Sequence, residues 1–206
     1  PSAHYVMDTV THAGKLLEYS MSQQVKEPEL VYGRYWHGSM FAYKLLFVIG
    51  NLSDVRWINF LICTFTMFAF SICFYKHFQP MDFYLTLLSL IFVNYYMIFH
   101  SMQFTPAFLI AFFGAMAVLK RIEMKKEVVS TFLIIGACTA YFDLLTVPAL
   151  TVGLPMICWV LKQNSTSDFK ADLKQLIQFG AVWICGFIGT WTFKWLLIYC
   201  FTDYSI

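Results

Sequence analysis

Residues 55–75 read VRWINFLICTFTMFAFSICFY. The single full charge is Arg56, at the edge, where a long apolar stem lets the guanidinium snorkel to the boundary. A helix needs about 20 mainly apolar residues, roughly 17–25, to cross a hydrocarbon core, so this stretch reads as a spanning helix. Working outward from it, residues 81–99, 105–119, 128–142, 146–161 and 176–201 are apolar runs of the same kind. Pro106 suits the first turn of one of them, and Asp143 and Pro148 separate two others. Composition agrees. The chain is 59% hydrophobic and 13% charged, against about 45–50% and about 25% for a soluble domain. That excludes a soluble globular domain and a disordered chain. A formal net charge of +2 is too small for a nucleic-acid partner. The expected fold is all-α: a polytopic transmembrane bundle of about six spans over residues 55–206, preceded by residues 1–54 as an outward loop. The chain starts Pro1-Ser2-Ala3 and stops after an apolar run, so it reads as a piece of a longer membrane protein.

The rare charges orient these spans. Lys76 and His77 follow the first; Lys120, Arg121, Lys125 and Lys126 follow the third; Lys162, Lys170 and Lys174 lie between the fifth and sixth. The alternate short connections, 100–104 and 143–145, contain no Lys or Arg. Lys/Arg excess marks the cytoplasmic side, so residues 1–54, His100 and Asp143 are expected to face outward. All six cysteines sit in apolar runs without a C-x-x-C pair. That supports neither a disulfide framework nor a zinc site.

The outward segment carries the chemistry-bearing residues. Ala3, Val6, Met7, Val10, Ala13, Leu17 and Met21 follow helical spacing, so residues 3–21 read as an amphipathic helix in the interface. His4, Asp8 and His12 recur every four residues on its polar face. That spacing suits a carboxylate–imidazole pair or a divalent metal, and equally a solvated face. Tyr32-Gly33-Arg34-Tyr35-Trp36-His37-Gly38 then packs a guanidinium, an imidazole and three aromatic rings between two glycines. Arg grips phosphate in a fork, while Tyr and Trp stack on sugars or anchor at headgroup level. Residues 40–49, with Lys44, are too short to span and fit an interfacial helix. The stretch Asn51-Leu52-Ser53-Asp54 caps the first span. Ionisable groups at membrane depth cost about 2.5–3.5 kcal/mol and default to a functional hypothesis. Asp143, His100 and Lys194 meet that description, with a helix cap, a satisfied interfacial histidine and a snorkelling lysine as their plainer readings.

The run Arg34-Tyr35-Trp36-His37-Gly38, followed by short spans and the turn Phe142-Asp143-Leu144-Leu145-Thr146-Val147-Pro148, resembles bacterial membrane glycosyltransferases of the GT-C type. The resemblance covers nearly the whole chain in layout and two short motifs in residues. It implies an integral protein of the bacterial inner (plasma) membrane that uses a polyprenyl-phosphate-linked sugar as donor, among membrane lipids. It also implies a catalytic carboxylate on the first outward loop, the position of Asp8, acting as general base. Arg34, with His37 or Lys44, would hold the lipid phosphate. Asp143 would orient the acceptor or a metal, with a divalent metal left open as cofactor; Tyr35, Trp36 and His100 are further candidates for substrate binding. The loop differs from better-known members in lacking an Asp-x-Asp or paired acidic motif. A non-catalytic transporter or flippase, or an assembly subunit of surface-polysaccharide machinery, competes with this reading. The orientation has a direct check. A cysteine placed at Ser22 is expected to react with an impermeant reagent on intact cells, and one placed at Met124 only after permeabilisation; the reverse pattern refutes it.

Overall fold

The computed structural model describes residues 36, 38–92, 102–143, 146–163 and 169–201, and every regular element among them is a helix. They are α1 (Gly38–Ile49), α2 (Leu52–His77), α3 (Pro80–Phe92), α4 (Thr105–Glu123), α5 (Val129–Phe142), α6 (Pro148–Leu161) and α7 (Phe169–Phe201). Among them, α2, α4 and α7 are long and apolar enough to cross a membrane. At about 1.5 Å per residue they extend roughly 39, 28 and 50 Å. This is fewer than the six spans expected from the apolar runs. α1, α5 and α6 have 12, 14 and 14 residues and reach only about 18–21 Å, short of a core about 30 Å thick, while α3 is described over 13 residues, as far as Phe92. The reason is local: the turn at Asp143 and Pro148 at the start of α6 hold α5 and α6 to 14 residues each, so two runs counted as spans are too short to cross. Residues 93–99 of the expected second span lie outside the described residues.

Helix starts follow the sequence signals. Asn51 caps α2, its side chain accepting from the Ser53 and Asp54 amides while Asp54 accepts from the Asn51 amide at 2.9 Å. Pro106 and Pro148 occupy the first turns of α4 and α6, where a missing N–H costs nothing.

Two apolar clusters share α4 and α6 between them. In the first, Phe70 of α2 stacks on Phe112 of α4 with centroids 4.9 Å apart, beside Phe74, Phe108, Ala111, Leu154 and Cys158. Cys63 meets Thr105 at the same sequence offset as Phe70 and Phe112, so α2 and α4 run parallel. In the second, Phe132 of α5 stacks on Phe179 of α7 at 4.4 Å, with Trp159 edge-on to Phe179. One turn further on, α5 and α7 come closest. A Cβ at Gly136 would strike the Trp183 carbonyl, and one at Gly186 would strike the Leu133 carbonyl. The two glycines face each other's backbones, the close approach that small residues permit between helices in lipid. Buried Thr139 and Thr151 add a polar tie: the Thr139 hydroxyl lies 2.9 Å from Thr151 Oγ1 and 2.7 Å from the Ile135 carbonyl, and Thr151 donates to the Pro148 carbonyl at 2.8 Å.

Along its 33 residues, α7 has just Phe179 and Gly186 buried. The outer surface carries Phe65, Ile91, Phe113, Ile134, Ile177 and Phe193, all more than half exposed. A surface of that kind is stable against lipid and not against water, and with the three long helices it marks a membrane protein. Gly136→Ala and Gly186→Ala are each expected to destabilise the protein by about 1–3 kcal/mol through overpacking. Gly153→Ala and Gly189→Ala, where a Cβ meets nothing within 4 Å, should be neutral or stabilising by about 0.5–1 kcal/mol. Thermal unfolding in detergent separates the two pairs.

Candidate functional site

The bundle has two chemically different ends. At one, α4 and α6 begin and α5 finishes, around Asp143. At the other, α2, α4 and α6 finish around Lys162.

At the first end Asp143 is 4% exposed. Its amide closes α5 by donating to the Thr139 carbonyl at 2.9 Å. Its Oδ1 accepts from the Thr146 amide at 3.2 Å and from the Thr146 hydroxyl. Oδ2 is buried with no hydrogen-bond partner among the described residues. The carboxylate therefore orders the turn between α5 and α6 through Oδ1.

Two residues before it, Tyr141 packs its ring 5.1 Å from that of Trp36. The Trp36 indole N–H donates to the Thr190 carbonyl of α7 at 2.8 Å, and Lys194 Nζ stands 5.5 Å from the centre of its ring. A Cβ at Gly38 would strike the Tyr141 ring, so glycine is what lets the chain entering α1 pass so close to α5. Trp36 is thus a fixed aromatic plate, tied to α5 and α7, with a cation on its face. Lys44, by contrast, is exposed on α1 and lines neither cavity described below. Asp8, Arg34, Tyr35, His37 and His100 lie outside the described residues, as do His4 and His12. No three His, Cys, Asp or Glu side chains gather as metal ligands among the described residues.

A groove of about 620 Å³ starts at this end between α1, α2, α4 and α5. Its mouth carries Ser39, Tyr43, Asn59 and Thr105. The Tyr43 hydroxyl lies 2.8 Å from the Met102 carbonyl and 3.1 Å from Asn59 Oδ1, which ties α1 to α2 and to the turn before α4. From there the lining is almost wholly apolar, through Leu109, Phe113, Ala117 and Ile134, until Arg121. Thr105 and Arg121 are both on α4, so the groove follows that helix for about 24 Å.

At the second end, a cavity of about 800 Å³ is bordered by Lys76, His77, Lys120, Glu123 and Lys162. Lys162 Nζ donates to the His77 carbonyl at 2.8 Å and sits 5.2 Å from the centre of the Phe78 ring. The lysines that sequence alternation assigned to one side do meet at one end of the bundle.

Sequence reasoning missed Asn59, a lone amide in a 26-residue apolar helix, and gave no sign of either cavity. The interhelical role of a single Asn is visible only once Tyr43 is opposite it. No protein-family model matches the chain, and no curated protein and no solved structure matches it either. Asp143→Ala should cost about 0.5–2 kcal/mol by removing the acceptor for the Thr146 amide. Asp143→Asn, which keeps an oxygen there, should cost little, as read from unfolding in detergent.

Proposed function

We propose that this chain is an integral membrane transferase that moves a sugar from a polyprenyl-phosphate donor to an acceptor on the outer face of a bacterial inner membrane. The observation that supports it is the groove along α4. It has the dimensions and apolar lining for a long isoprenoid or acyl chain. Its polar mouth lies at the bundle end that also holds Asp143 and the Trp36 plate. In this arrangement the three long helices cross the membrane, and α3, α5 and α6 complete six crossings by local thinning of the bilayer, with α1 at the interface. Residues 1–54 face outward.

The chemistry then follows from the residue types. Asp8 takes the proton from the acceptor hydroxyl, whose oxygen attacks the anomeric carbon. The bond from that carbon to the phosphate oxygen breaks, and the polyprenyl phosphate leaves with its negative charge neutralised by Arg34 and His37 or Lys44. Tyr35 and Trp36 contact the sugar, Asp143 orients the acceptor, and His100 adds a substrate contact. A second reading, a transporter or flippase or an assembly subunit without catalysis, is favoured by one feature. The groove reaches Arg121 at the far end, and so offers a lipid a path along most of the bundle.

The two readings separate in a cell-surface glycan assay at matched protein levels. The transferase expects Asp8→Asn to reduce product about a hundredfold or more, and both Arg34→Ala and the groove-filling Ala117→Trp to reduce it strongly. Loss in Ala117→Trp with undiminished glycan in Asp8→Asn and Arg34→Ala overturns catalysis in favour of lipid transport.

A further inference from the structure

The cavity at the Lys162 end differs in kind from the groove. The C-terminal ends of α2, α4 and α6 converge there, each with a lysine: Lys76, Lys120 and Lys162. Helix C-termini carry partial negative charge that attracts cations, and Lys162 fills that role by capping the His77 carbonyl. Lys76 and Lys120 stand exposed on the rim of the same space, and Glu123 is the single carboxylate on its lining. The rim therefore has a clear excess of positive charge. Below it the wall turns apolar, with Ala69, Ile72, Met116 and Leu119. Ile72 continues down α2 to Phe68 and Phe65, at helical spacing and all more than half exposed. Cationic rim, apolar wall and lipid-facing stripe form one continuous surface.

We propose that this cavity binds an anionic phospholipid, its phosphate between Lys76, Lys120 and Lys162 and one acyl chain along the Ile72 stripe. A soluble anion would use the lysines but has no use for the apolar wall. A zwitterionic lipid would use the wall but gains little from the charge excess. Basic pockets between helices at a membrane surface recognise anionic headgroups in this way. The site lies at the opposite end from the proposed transfer chemistry and does not rest on it.

The test uses the full chain in dodecyl maltoside micelles, titrated with phosphatidylglycerol or phosphatidylcholine and read by native mass spectrometry. Phosphatidylglycerol is expected to bind at least about tenfold more tightly. Each of Lys76→Gln and Lys120→Gln should weaken it about fivefold, and the pair about twentyfold. The same charge change at Lys125 and Lys126, which do not line the cavity, should leave binding intact. Equal affinity for phosphatidylcholine overturns the proposal, as does equal weakening by both pairs, which marks diffuse attraction. Displacement of the lipid by millimolar inorganic phosphate also overturns it, marking a site for a free anion. The single variants keep the test decisive if the double variant does not fold.

Discussion

In lipid, apolar side chains gain almost nothing by leaving one neighbour for another, so helices must be held by close contact and by hydrogen bonds. In this protein the contact is the crossing of α5 and α7, where Gly136 and Gly186 each meet a carbonyl of the opposite helix. That approach sets the position of α7, which has little else buried. It also fixes the α5 end that carries Tyr141 and Asp143. The Thr139–Thr151 tie then holds α6 against α5 at the same level. Trp36 can reach both Tyr141 and the Thr190 carbonyl because those two helices are locked side by side.

The polar groups that remain are few and sorted by end. Tyr43, Asn59 and Thr105 satisfy each other or nearby backbone around the groove mouth. Thr66 instead bonds back along its own helix, to the Ile62 carbonyl at 2.8 Å. Among the described residues Asp143 Oδ2 shares with Thr64 Oγ1, Thr131 Oγ1 and Trp183 Nε1 the lack of a hydrogen bond, and as a carboxylate oxygen it is the costliest of them to bury. At the other end the lysines remain at a rim, where their stems cover apolar wall and their ammonium groups reach polar surroundings.

Much of this is legible in a linear reading. The apolar runs located six of the helices, and Asn51 and Pro106 marked two helix starts. The alternation of Lys-bearing and Lys-free connections sorted the loops into two ends, and the lysines of three helices do converge. These signals are legible because each depends on residues close in sequence: a run, a cap, a count of charges per loop. Run length overstated how many helices are long enough to cross, since the runs at 128–142 and 146–161, parted by the turn at Asp143, fall below the roughly 17 residues that a span needs.

What the sequence alone determined is therefore the all-helical membrane class, the helix starts and the division of charge between two ends. The partnerships came from tertiary structure. That Gly136 faces Gly186 rather than lipid, that Asn59 answers Tyr43, and that Lys76, Lys120 and Lys162 enclose one space depends on helix rotation and on which helices are neighbours. An apolar helix in lipid has no polar face to announce its rotation. Glycine, threonine and asparagine acquire their meaning only from the backbone or hydroxyl that packing brings opposite them.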